Sequence, residues 1–171
     1  MITYPDYESV DFRAFRIRQN LCIAGMEKCG IHAFDDADIK DLSAWYDTHG
    51  KKVEDPATAD EAFENRYSFL WSKKKLRKFL NSYTDVYVFG GSGNIFDMFD
   101  LFDKVYFLKV EPQIQKERIF NSSLRNRNMD INENGLVIWG DWLEQEAKKH
   151  NIPFIDASLS PKQIFALIEQ H

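Results

Sequence analysis

The stretch Val86–Asn94, VYVFGGSGN, decides how the rest of the chain is read. Four apolar residues of high β-propensity run directly into a glycine-rich turn, and a nearly continuous apolar run is what a strand covered on both faces requires. Two later segments share that character: Lys104–Val110 (KVYFLKV) and Pro153–Asp156 (PFID). An earlier one, Ile31–Phe34 (IHAF), leads into the acidic run Asp35-Asp36-Ala37-Asp38. Between and after these strands the apolar spacing becomes helical, predicting helices over Lys73–Leu80 and onward, Pro112–Arg127, Gly140–His150 and Pro161–Gln170. Pro112 and Pro161 stand where helices begin, since the first turn tolerates proline. Ile164, Leu167 and Ile168 form an apolar stripe on the last helix, suited to lie on a sheet. Short buried strands alternating with longer helices predict a parallel sheet with crossover helices. Residues His49–Asp60 are polar and contain proline, and read as a loop inside the domain.

The chain has 171 residues, 44% of them apolar, with 14 Phe, 7 Tyr and 4 Trp, which is one domain with material for a sizeable core. Its 22 basic residues against 27 acidic give a net charge of -5. No basic surplus exists to neutralise a phosphate backbone, so nucleic acid is not an expected partner, while a small anionic ligand is compatible. Cys22 and Cys29 are the only cysteines and have no metal-ligand neighbours in sequence, so they read as reduced thiols. No apolar run reaches the roughly 18 residues of a membrane span, and Met1–Asn20 lacks the apolar core of a signal peptide. The expectation is a cytoplasmic protein with no membrane partner and an undetermined oligomeric state.

The first 20 residues depart from the pattern. A βαβ domain needs a first strand, a turn and a helix ahead of Ile31, but Tyr4–Asp11 (YPDYESVD) is polar and broken by proline.

From Leu21 onward the ordered set of motifs resembles small bacterial P-loop kinases of the nucleoside- and shikimate-kinase type. The set comprises MEKCGIHAF at Met26–Phe34 with Asp35–Asp38 and Trp45, then WSKKKLRKFL at Trp71–Leu80 and VYVFGGSGN. It continues with DLFDKVYFLKV at Asp100–Val110, Glu117-Arg118 with Arg125 and Arg127, and IPFIDAS at Ile152–Ser158. The resemblance implies a three-layer α/β/α sandwich with a mostly parallel sheet, built as a single domain over residues 1–171 with residues 1–20 atypical. It implies ATP and Mg²⁺ as cofactors and phosphoryl transfer to a small metabolite.

Under the same resemblance Asp35, Asp36 and Asp38 hold the acceptor or a water of the Mg²⁺ shell, a carboxylate being able to orient a hydroxyl and accept its proton. Helix N-capping explains the same acidic run equally well. Gly90, Gly91, Gly93 and Asn94 correspond to the turn lining the acceptor pocket, although a plain strand-to-helix turn uses the same glycines. Arg118, Arg125 and Arg127 correspond to lid arginines that clamp phosphates, or are ordinary exposed arginines. Asp156, with Ala157 and Ser158, stands where the adenine passes.

The loop G-x-x-x-x-G-K-[ST] on which such transfer depends is missing from the sequence. Its place is taken by Phe12–Asn20, FRAFRIRQN. One hypothesis explains both N-terminal defects. If Arg13, Arg16 and Arg18 are encoded by CGG, Gln19 by CAA and Asn20 by AAC or AAT, reading one base later gives Gly, Gly, Gly and Lys followed by Thr or Ile, so the shifted peptide can be G-x-S-G-x-G-K-T. Val10-Asp11-Phe12 can likewise read Leu-Ile-Phe, which fits the end of the absent first strand. A diverged N-terminus that lost the loop is the competing account, and in either case catalysis by this polypeptide is impaired. Two further readings stand beside the kinase one: a non-catalytic metabolite-binding or regulatory module, and an interaction protein presenting Phe96, Met98, Phe99, Leu101 and Phe102 to a partner. Such an apolar run is more often core.

Overall fold

A computed structural model describes residues 23–28, 30–57, 59–111 and 142–170, and all structural statements below concern these residues. Helical residues 23–27 (α1) lead to strand β1, Ala33–Asp35, which runs into a 3-10 turn, Asp36–Asp38. Three strands follow: β2 (Ser43–Tyr46), β3 (Lys52–Val53) and, after helix α2 (Ala59–Glu64), β4 (Ser68–Trp71). Helix α3, Lys73–Leu80, begins at Ser72, whose hydroxyl accepts from the Lys75 N–H. Strand β5 (Tyr87–Phe89) precedes a 3-10 helix at Ile95–Leu101, and β6 is Phe107–Lys109. Helical residues 142–149 (α4), strand β7 (Phe154–Asp156) and helix α5 (Pro161–Gln170) complete the described chain.

The strands with continuous apolar character pair in parallel, β1 with β5 and β6 with β7. The alternation of side chains along β5 sets its two faces. Tyr87 and Phe89 pack towards Ile23, Met26 and Ala33 and also towards Ile155, Ile164 and Ile168, whereas Val88 joins Ile39, Leu42, Trp71, Leu76 and Met98. Helix α5 lies beneath both parallel pairs at once. Its Ile164 and Ile168 form a buried cluster with Ile155 of β7, against which Tyr87 and Phe89 of β5, Tyr106, and Leu108 of β6 pack. Tyr87 Oη adds a hydrogen bond to Glu169 Oε1, at 2.7 Å. On the opposite side Phe96 of the 3-10 helix meets Trp142 edge-on at 5.7 Å and stacks on His150 at 5.0 Å, fixing α4 there.

The segment read from sequence as a loop, 49–60, instead contributes β3 and the start of α2. Trp45 and Tyr46 pair antiparallel with Val53 and Lys52 around a turn in which Asp47 Oδ1 accepts from the N–H groups of His49 and Lys51. Strand β4 pairs on the other side of β2, making an antiparallel three-stranded sheet that the apolar pattern did not announce. The aromatic stretch after β5 is core: Met98 is buried, and Phe96, Phe99, Leu101 and Phe102 are half-buried within the fold. The predicted helix Pro112–Arg127 lies outside the described residues. No described helix is long and apolar enough to cross a membrane.

Candidate functional site

The register of β1 and β5 places Asp35 opposite Phe89, so the segments that leave their carboxyl ends emerge side by side. In open α/β sheets this end of the strands is where ligands bind. The acidic run and the glycine turn are thereby brought together, although far apart in sequence. Asp35 is 3% exposed and its Oδ1 accepts from the Ala37 N–H at 3.0 Å, capping the 3-10 turn. Asp36 is 2% exposed, and its Oδ2 accepts from Trp71 Nε1 at 3.1 Å. A carboxylate taken this far from water requires such a donor. Asp38 ends the turn exposed to solvent.

Gly90 is the residue on which this approach depends. A Cβ there would sit 2.6 Å from Cβ and Cγ of Asp36 and 2.9 Å from its Oδ2, and φ is +155°. Only glycine lets the turn pass the carboxylate this closely. Gly91 is buried next to it. Asn94 is committed elsewhere: its Oδ1 accepts from the Trp71 N–H at 2.9 Å and from Ser92 Oγ at 3.0 Å, while its Nδ2 donates to Trp71 O at 3.0 Å. The Gly93 N–H donates to Phe69 O at 2.9 Å. Gly93 and Asn94 therefore fasten the glycine turn to β4, and Gly90 and Gly91 line the adjacent space. Trp71, which joins Asp36 through its indole and Asn94 through its backbone, was not singled out as a site residue from sequence. Its pairing with a residue 35 positions away leaves no local signal.

Asp36, Trp71, Gly90 and Gly91 stand at one part of the boundary of a cavity of about 810 Å³. Residues 83–89 and 103–108 form its long walls, and Ile95, Phe96, Phe99, Leu143, Ala147 and Ile168 contribute apolar cover.

The second parallel pair ends in a separate polar group. Asp156 Oδ1 and Oδ2 accept from the Ser158 N–H and Oγ, each at 2.7 Å, closing a tight turn after β7. Opposite Asp156 in the register, Lys109 reaches Glu144 Oε1 at 3.0 Å, and Lys148 reaches the same oxygen at 2.7 Å. The hydrogen bonds from Lys148 and then Lys109 hold the Glu144 carboxyl below its usual range, and Glu144 in turn raises Lys109. Burial, reinforced by Glu169, pushes the Tyr87 phenol up to about 12. Arg118, Arg125 and Arg127 lie outside the described residues, as do Cys22, Cys29 and the whole of Phe12–Asn20.

These residues do not fit Mg²⁺ATP as a bound group. The lysine-and-hydroxyl loop is missing from the sequence, Asp35 Oδ1 and Asp36 Oδ2 are taken by N–H donors, and among the described residues no cluster of three or more His, Cys, Asp or Glu could hold a metal ion. Comparison of the chain with protein-family models, with curated proteins and with solved structures finds no match.

Proposed function

We propose that this chain is a P-loop kinase-like domain that keeps the acceptor half of its site and has lost the phosphate-holding half. The ancestral activity on this reading is ATP-dependent phosphoryl transfer to a small hydroxyl- or phosphate-bearing metabolite, severely impaired here because Arg18-Gln19-Asn20 stands where Gly-Lys-Thr is needed. The observation that carries the reading is the close approach of Gly90 to the buried Asp36 carboxylate at the carboxyl ends of two parallel strands, bordering a cavity. A fixed carboxylate orients an acceptor hydroxyl, and glycines let ligand atoms approach the backbone. The parallel pairing on both sides of that cavity supports a three-layer sandwich as its frame.

Calorimetric titration of the chain with a panel of small polyols, nucleosides and their phosphates tests the acceptor half. Saturable binding that Asp36→Asn weakens by about tenfold or more is expected, and binding insensitive to that change would sink the assignment. Saturable binding without any ATP turnover would favour the non-catalytic binding or regulatory module. The coding sequence across Val10–Cys22 decides how the loop was lost. CGG at Arg13, Arg16 and Arg18 with CAA at Gln19 identifies a displaced reading frame, and AGA or CGT codons identify a diverged N-terminus.

A further inference from the structure

Charge is segregated between two neighbouring segments. Helix α3 carries Lys73, Lys74, Lys75, Arg77 and Lys78 and no acidic residue, whereas residues 54–64, which follow β3 and run through α2, carry five acidic residues and no basic one. The apolar side of α3 is spent inside the fold, where Leu76 is buried with Leu42, Trp71 and Met98 and where Phe79 and Leu80 pack against them. Two of its cations are paired within the chain. Lys73 pairs with Asp100 and donates to Asp97 O at 2.7 Å, and Lys75 meets Asp41 at 3.5 Å. Lys74, Arg77 and Lys78 are exposed and form no ion pair among the described residues. Their spacing of three and four sets them on one strip of the helix surface.

That strip is unfavourable for an isolated chain. Lys74 and Lys78 are like charges one turn apart, and Lys73, Lys74 and Lys75 fill a first turn that has no acidic residue, where the helix dipole disfavours cations. Residues 54–64 have the opposite defect. Glu64 closes α2 with no basic residue in the last turn, and Glu54, Asp55 and Glu64 are exposed without an ion pair among the described residues. Local rules broken together at a surface mark a functional one. Each patch supplies what the other lacks, yet within one chain the two form no ion pair.

We propose that the exposed face of α3 docks on residues 54–64 of a second copy of this chain, with a twofold axis repeating the contact. Lys74, Arg77 and Lys78 of each protomer then face the acidic segment of the other, and both patches are used without leaving one open to further copies. Other anionic surfaces fit less well. Helix α3 has no exposed apolar side chain to enter a lipid surface, and a net charge of -5 opposes a nucleic-acid backbone. This inference does not depend on the kinase-like reading.

Sedimentation equilibrium of the full chain tests it. A dimer is expected at low salt, with its dissociation constant rising about tenfold or more between about 50 mM and about 500 mM salt as the charges are screened. Two charge-reversed chains identify the surfaces, one with Lys74→Glu, Arg77→Glu and Lys78→Glu, the other with Glu54→Lys, Asp55→Lys and Glu64→Lys. Each alone is expected to be monomeric, because like charges then meet at both contacts. An equimolar mixture is expected to dimerise as the wild type does, because both contacts again join opposite charges. A wild-type chain that is monomeric at about 0.1 mM overturns the proposal. So does a dimer that either reversal leaves intact, a dimer indifferent to salt, or a pair of variants with wild-type circular dichroism that stay monomeric when mixed. A monomer that binds phosphatidylserine vesicles or single-stranded oligonucleotides, and loses that binding on reversal of α3, overturns it in favour of that anion.

Discussion

The indole N–H of Trp71 donates to Asp36 Oδ2 at 3.1 Å, joining the end of β4 to the turn that follows β1. That bond links the antiparallel sheet to the first parallel pair, and it holds a buried carboxylate against Gly90 at the edge of the cavity.

Gly90→Ala forces a methyl group to within 2.6 Å of the Asp36 side chain. Backbone or carboxylate must shift, and a loss of about 1–3 kcal/mol is expected in urea unfolding. In Asp36→Gly the clash disappears, so the alanine change costs less on that background. Simple additivity of the two would contradict the close approach.

Asn94→Ala removes both hydrogen bonds to the Trp71 backbone and the one from Ser92. A destabilisation of about 1–3 kcal/mol is expected, because part-buried backbone groups lose their partners. Asn94→Asp keeps the acceptor for the Trp71 N–H but sets an oxygen against Trp71 O. Denaturant midpoints showing Asp as benign as the wild-type amide would refute this orientation of Asn94.

Tyr87 carries an alkaline signature. Its pKa is raised from 10.0 to about 12, chiefly by burial and then by the hydrogen bond to Glu169. The folded state holds this proton more tightly than the unfolded chain. Its contribution to stability is therefore complete below pH 10 and declines as pH rises from 10 towards 12. Unfolding free energies measured across that window should fall more steeply for the wild type than for Tyr87→Phe.

Glu144 gives the acid counterpart. Lys148 and Lys109 depress its pKa below 4.5, so its contribution is present above that value and is lost as pH falls through the lower folded-state pKa. Glu144→Gln should flatten this part of the acid unfolding profile, and identical profiles would remove the ion-paired carboxylate as a contributor.

Local pattern specified several elements. Helices α3 and α5 occupy the predicted spans Lys73–Leu80 and Pro161–Gln170, where Ser72 caps one and Pro161 opens the other. The apolar runs at residues 86–89, 104–110 and 153–156 contain β5, β6 and β7, because strands covered on both faces tolerate few polar side chains. Strands β2, β3 and β4 gave a weaker signal: SAWY, KV and SFLW each include a polar residue and do not form a continuous apolar run. Their order in the sheet depends on contacts between distant segments.

The sequence by itself determined which segments are apolar enough to be inner strands, where α3 and α5 begin, and that no phosphate loop precedes α1, since each of these depends on neighbouring residues alone. Tertiary structure decided that Asp36 meets Trp71 and Gly90, that Gly93 and Asn94 fasten the turn while Gly90 and Gly91 line the cavity, and that residues of β5 and β6 line the same cavity. Those outcomes follow from strand pairing and helix packing between residues far apart in the chain, where hydrogen-bond geometry and close packing select partners that composition and spacing leave open.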